Sequence, residues 1–214
     1  MASEPSFALI HSGRGNIKSL MNALERIGAA YFVAKTPSEI ERVQGVIFPG
    51  VGSFGALMDF LRNEGFEEGL VRAIRKGMPY LGICVGMQVL FERSEEFGSH
   101  KGLGVLEGDV VQLRREDPAM KVPHVGWNQV SLRCERRHQF EPPWEGKDPF
   151  FYFTHSFVCR PSDDDSLLGA TDYFGEFASL VKKENVLACQ FHPERSGQAG
   201  LDFLAWFVRS FALH

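Results

Sequence analysis

Leu81-Gly82-Ile83-Cys84-Val85-Gly86-Met87-Gln88 decides how this chain folds, because it joins an apolar run to the start of a helical pattern. Tyr80 to Ile83 reads as a buried strand, and a helix is expected from about Gly86 to Phe91. A cysteine between two glycines at such a junction has the pattern of a nucleophile elbow, with Cys where hydrolases carry Ser. The turn is strained, so its neighbours must be small for strand and helix to pack. It points the sulfur out of a sheet's carboxyl edge, where open α/β folds bind ligands. Free N–H groups and partial positive charge at the start of the next helix would favour thiolate over thiol. Taken alone, the motif fits equally well a buried structural cysteine ending a core strand.

On the N-terminal side, short apolar runs alternate with helical patterns, the signature of parallel strands joined by crossover helices. Phe7 to Ile10, Tyr31 to Ala34 and Gly45 to Phe48 read as strands. Between them, Ile17, Leu20, Met21, Leu24 and Ile27 repeat at helical spacing until Gly28. Thr36 and Glu39 are spaced as a capping box around Pro37. Helical spacing returns between Phe54 and Lys76 and breaks near Gly65. From Val105 to Val181 the strands are short and separated by Gly, Pro and Asp clusters, which indicates antiparallel strands and loops. Val186 to Phe191 is one more strand, and Leu201 to Phe211 an amphipathic helix. The fold expected is α/β: an open mixed, largely parallel sheet flanked by helices, with added antiparallel strands in the second half. Its 214 residues fit a single domain, 1–214, with a full sheet-and-helix core.

A net charge of −4 gives no reason to expect nucleic acid or a membrane as partner. The basic cluster from Arg133 to His138 is interrupted by Glu135 and reads as solvated loop. No stretch approaches the roughly 20 apolar residues that span a bilayer, and Met1 to Ser6 is too polar for a secretory signal. The cysteines at 84, 134, 159 and 189 form no C-x-x-C pair and have no zinc spacing. They fit a reducing cytoplasm, with no metal and one reactive thiol.

A thiol nucleophile needs a base, itself held by a third group. Among seven histidines, His192 stands at the end of an apolar strand in Gln190-Phe191-His192-Pro193-Glu194. In an extended segment His192 and Glu194 share a face, and Pro193 ends the ladder. Glu194 would then orient the imidazole while its other nitrogen meets Cys84. A developing oxyanion needs backbone donors. Val85, next to the nucleophile, offers one N–H. The Pro49-Gly50-Val51-Gly52 loop offers another at Val51 or Gly52. That loop is also an ordinary Pro-Gly turn, but it lacks the lysine of a phosphate loop.

Together these pieces resemble the class I, triad-type glutamine amidotransferases, whose fold is flavodoxin-like, over nearly the whole chain from Phe7. Within that class the chain is most similar to glutaminase subunits of imidazole glycerol phosphate synthase. The particular segments are Gly13-Arg14-Gly15-Asn16-Ile17-Lys18-Ser19, Pro49-Gly50-Val51-Gly52-Ser53-Phe54-Gly55, Pro123-His124-Val125-Gly126-Trp127-Asn128, Tyr152-Phe153-Thr154-His155-Ser156-Phe157 and His192-Pro193-Glu194-Arg195-Ser196. The resemblance implies glutamine as substrate and no cofactor. It also implies a (β/α)8-barrel cyclase partner in a heterodimer, to which ammonia passes. It assigns glutamine binding to Gly52, Gln88, Glu96 and the segment His155, Ser156, Phe157. Asn16, Trp127, Tyr152 and Arg195 would face the barrel. His11-Ser12, Val85 and Arg195 depart from the usual residues of that pattern, which bears on docking and coupling. Alternatives are the glutaminase of another synthase (anthranilate, aminodeoxychorismate or pyridoxal phosphate), a catalytically silent partner-binding scaffold, or a cysteine-based redox protein of related fold.

Overall fold

The computed structural model describes residues 7–15, 17–114, 119–133, 143–144 and 147–211, with only the backbone of Arg42 and Phe211. Four strands of the first half, β1 (Phe7–Ile10), β2 (Tyr31–Ala34), β3 (Gly45–Gly50) and β4 (Tyr80–Cys84), lie parallel in the order β2-β1-β3-β4. The last strand, β14 (Val186–Cys189), adds parallel to β4. Val186 to Cys189 and Phe7 to Ile10 are buried at every position, as expected for parallel strands covered on both faces. Helices α1 (Lys18–Arg26), α2 (Phe54–Asn63) and α3 (Phe66–Arg75) are the crossovers. The C-terminal helix α5 (Gly197–Phe211) packs beside α1, with the Phe207 ring tilted against Phe7 of β1 at 5.6 Å between centroids. Fully burying rings such as these contributes roughly 1.5–3 kcal/mol each.

Beyond β14 the same sheet continues antiparallel through β13 (Glu176–Lys183), β11 (Phe157–Pro161) and β7 (Gly108–Gln112). The expected split between a parallel first half and an antiparallel second half is therefore observed. Strands β8 (His124–Gln129) and β10 (Phe150–His155) form a separate two-stranded sheet that pairs Trp127 with Tyr152. No described helix is long and apolar enough to cross a membrane.

Several elements differ from the sequence expectations, β3 and β4 among them, which run on to Gly50 and Cys84. The helix after Cys84, α4 (Val85–Gln88), is a single turn rather than a run to Phe91. Its partial dipole is correspondingly small. Strand β14 stops at Cys189, two residues early, and α5 begins four residues early. The turn after Thr36 is a short 3-10 helix, Pro37–Arg42, with the Thr36 N–H donating to Glu39 as a capping box requires.

Strand order reverses at β1, which pairs with β2 on one side and β3 on the other. In open α/β sheets such a reversal opens a crevice at the carboxyl ends of the strands. Gly13 to Gly15 follows β1 there and Val51-Gly52 follows β3, and a Cβ on Gly15 would collide with the Val51 side chain.

Candidate active site

Cys84 sits at φ 55°, ψ −113°, a conformation unfavourable for a non-glycine residue. Such strain persists only where surrounding structure over-determines it. Here Gly50 on β3 lies in register with Cys84, and a Cβ on Gly50 would collide with the Gly86 nitrogen. A Cβ on Gly86 would collide with the Phe48 carbonyl oxygen. The buried Tyr80 hydroxyl donates to the Gly86 carbonyl at 2.8 Å, clamping strand to turn. The elbow expected from Gly-x-Cys-x-Gly is thus present, held by contacts only glycines allow.

His192 reaches the site by a route different from the one its sequence suggests. Its N–H donates to the Tyr152 carbonyl on β10 at 2.9 Å, beyond the end of the β14 ladder. Phe191 is fully buried, stacked 3.8 Å from Phe151 and edge-on to Phe203. Pro193–Arg195 then forms a 3-10 turn. That turn, rather than a continued strand, brings the Glu194 carboxylate to 2.8 Å from His192 Nδ1. Ser196 Oγ donates to the His192 carbonyl at 2.6 Å and accepts from the Tyr152 N–H at 2.9 Å, fixing the turn. His192 Nε2 is buried and has no hydrogen-bond partner among the described residues. Burial lowers the His192 pKa, but the charge and proximity of the Cys84 sulfur and the bond to Glu194 outweigh it, raising the value to about 10. The imidazole is therefore protonated at neutral pH when the sulfur beside it is ionised.

Cys84 and His192 share a cavity of about 250 Å³ with Gly50, Val51, Gly52 and Val85 on one side. Gln88, Glu96, Thr154, His155, Ser156, Phe157 and Arg195 complete it. Val85 is the first residue of α4, so its N–H has no acceptor within the helix. Gly52 adopts φ 97°, the backbone freedom the loop was expected to need. Glu96 accepts from the Phe54 N–H at 2.6 Å, which ties its carboxylate to the start of α2 rather than leaving it solvated beside Glu95. A larger hollow of about 440 Å³ lies over β7, β11 and β13, but it contains no nucleophile paired with a base.

His155 lines the cavity, yet both ring nitrogens are engaged. Nδ1 faces the Phe157 carbonyl at 3.0 Å, so it carries the proton. Nε2 must then accept from His124 Nδ1, 3.0 Å away, and Asn128 donates toward His124 Nε2 at 3.5 Å. Burial pushes His124 down to about 4. Burial and then the charge of His124 push His155 down to about 3, against the opposing bond to Phe157. Both folded-state values lie below the ordinary 6.5, so the unfolded chain takes up protons first as pH falls. This contribution to stability is fully present above pH 6.5 and is lost toward about pH 4 for His124 and about pH 3 for His155. Urea melts between pH 7 and 5 should show stability falling by up to about 1.4 kcal/mol per pH unit for each histidine. A flat profile over that range would contradict the assignment.

Of the positions expected to face the barrel, Arg195 lines the cavity, while Trp127 and Tyr152 do not. Trp127 is 55% exposed and meets Tyr152 edge-on at 6.3 Å, so it is not a core aromatic. Arg195 places its guanidinium 4.2 Å above the Tyr152 ring. Asn16 lies outside the described residues, as does Cys134. Thr154, Ser196 and Gln190 were not singled out from the sequence. Gln190 is fully buried, and its amide lies 3.5 Å from the Cys84 sulfur. Its signal was available in the alternation of an extended segment, in which residues 190 and 192 face the same way.

Residues 8–210 match the family model of glutamine amidotransferase class-I. The subunit HisH of imidazole glycerol phosphate synthase from Bacillus velezensis is 42% identical over 205 residues, 94% of each chain. The HisH subunit from Desulfitobacterium hafniense is 43% identical over 93% of this chain and 92% of its own. Among solved structures, a crystal structure of glutamine amidotransferase superposes with a TM-score of 0.74 at 19% identity, covering 96% of this chain and 99% of that one, which shows the shared fold. With a strained cysteine elbow, a His–Glu pair and a glycine loop around one cavity, the chain belongs to the class I glutamine amidotransferases and, within them, to the HisH subunits of imidazole glycerol phosphate synthase.

Proposed function

We propose that Cys84, His192 and Glu194 hydrolyse glutamine and that the ammonia passes to a (β/α)8-barrel cyclase. That partner would convert the ribulosyl phosphate intermediate PRFAR to imidazole glycerol phosphate and AICAR in histidine biosynthesis. The observation that carries this reading is His192, bound to Glu194 on one side and facing the Cys84 cavity with a buried, unpartnered nitrogen on the other.

The Cys84 thiolate adds to the side-chain amide carbon of glutamine, and the carbonyl oxygen becomes an oxyanion between the N–H groups of Val85 and the Val51-Gly52 loop. As the C–N bond breaks, the His192 imidazolium gives its proton to the leaving nitrogen, releasing ammonia and a glutamyl thioester. Neutral His192 then takes a proton from water, which attacks the thioester. Collapse releases glutamate and restores the thiolate–imidazolium pair. Glu194 holds the imidazole orientation and balances its charge throughout. Both protons on the Gln88 amide nitrogen are directed at the Phe157 carbonyl and Gln190, so Gln88 meets substrate through its oxygen, an acceptor for the ammonium group. Glu96 supplies a second acceptor.

Support for the partner comes from the outward face of β8 and β10. Val125, Trp127 and Phe150 are each more than half exposed there, beside the Arg195–Tyr152 pair and the cavity mouth. An apolar face of this kind is characteristic of a protein interface. A freely running glutaminase would waste ammonia, so low activity is expected from the subunit alone. Glutamate release, measured with and without the cyclase and its phosphate ligand, should rise strongly only in the full complex. Equal turnover by the isolated subunit would rule out gating by the partner. No stimulation by that cyclase would favour another synthase.

A further inference from the structure

Gln190 is a fully buried polar side chain that the triad chemistry leaves without a role. It sits just beyond β14, two residues before His192. Phe191 between them is locked in the aromatic stack, while the Gln190 amide reaches the Cys84 sulfur and His192 lines the same cavity. The Gln190 side-chain NH2 donates to the Cys84 sulfur at 3.5 Å.

Neighbouring groups determine which end of this amide faces the sulfur. Gln88 Nε2 lies 3.1 Å from the Phe157 carbonyl oxygen and 3.0 Å from Gln190 Oε1. A carbonyl only accepts, so the NH2 end of Gln88 must be the one placed there. The same NH2 then requires an acceptor in Gln190, which leaves the Gln190 NH2 end for sulfur. Turning the Gln190 amide over would set NH2 against NH2 and an oxygen lone pair against the sulfur. The chain Phe157 carbonyl, Gln88, Gln190, Cys84 therefore has one direction, and it ends in a donor.

We propose that Gln190 is a thiolate-holding residue, whose side-chain N–H, oriented by Gln88, stabilises and aims the Cys84 sulfur. This rests on Cys84 being the nucleophile. A donor aimed at sulfur favours the ionised form, because hydrogen bonds to a charged atom are stronger than those to a neutral one. It also compensates for a single-turn α4, whose own field is weak. If Gln190 merely satisfied its own amide, its replacement would cost stability without changing the ionisation of Cys84.

The test is the pH profile of Cys84 alkylation by iodoacetamide in the full chain, read on the Cys84 peptide by mass spectrometry. Wild type is compared with Gln190→Met, which keeps length but removes the donor, and Gln190→Glu, which keeps shape and adds negative charge. Thermal melts confirm that each variant is folded. The Met variant should need a pH higher by about one unit or more for half-maximal reactivity, and the Glu variant a larger shift. In the complex with the cyclase, kcat for glutamine should fall about ten- to a hundredfold with KM nearly unchanged. Should the Met variant fail to fold, the Glu variant decides, since its shape is that of Gln. Unmoved profiles in folded variants would overturn the role of Gln190 and leave the nucleophile standing. An unreactive Cys84 in a wild-type chain that still turns over glutamine would overturn the nucleophile itself.

Discussion

Replacing Cys84 by Ala should eliminate glutamine-dependent synthesis, by at least about 10⁴-fold, while synthesis from added ammonia by the cyclase complex persists. The size follows from what the sulfur does: without it no thioester can form, and neither the oxyanion donors nor His192 supplies a substitute nucleophile. The change is small sterically. Cys84 is buried at the elbow, and Ala fits inside the Cys envelope, so the fold and the β8–β10 face should survive. The assay is product formation with glutamine or with ammonium salts as nitrogen source. Loss of both activities would mean the variant disturbs assembly rather than chemistry. Persistence of glutamine use would mean that another group performs the attack.

Gly86→Ala should be the most destabilising small substitution in the site. The added methyl would be driven into the Phe48 carbonyl oxygen on β3. Overpacking against a yielding side chain costs about 1–3 kcal/mol, and a backbone oxygen within a sheet yields less than a side chain does. A loss of about 3 kcal/mol or more is expected, seen as a lower urea midpoint at unchanged m. Glutaminase activity should fall with it, because relief of the clash must move β3, β4 or the elbow that carries Cys84. Gly104→Ala is the control: its methyl would meet open space at φ 59°, so only the roughly 1–2 kcal/mol of a left-handed residue is expected. Equal costs at the two positions would show that close approach at Gly86 is not what holds the elbow.

The elbow was legible because its constraint is local: two glycines and a cysteine specify both the turn and the close packing around it. The parallel half of the sheet was legible for a similar reason, since buried apolar runs and helical periods alternate there. His192 and Glu194 were found for a reason only partly right. Alternation along a strand pairs 192 with 194, but β14 ends at Cys189 and the contact depends on a 3-10 turn pinned by Ser196. Applied two residues earlier, the same alternation would have found Gln190. The exposure of Trp127 could not be read from its own segment. It depends on β8 pairing with β10 outside the main sheet, a long-range choice that short strands leave open. Glu96 looked like one acid beside another because its partner, the Phe54 N–H, is remote in sequence. The His124–His155 pair was likewise hidden, since its two members meet only through that antiparallel pairing.

The central claim is that Cys84 bonds to the glutamyl group of glutamine, and trapping that bond tests it most directly. The full complex, given glutamine and quenched in acid during turnover, should yield a peptide containing Cys84 that is heavier by one glutamyl group. The modification should be removed by hydroxylamine, as a thioester is. Glutamine consumption with the glutamyl group on a different residue, or with Cys84 still freely alkylated throughout turnover, would contradict it.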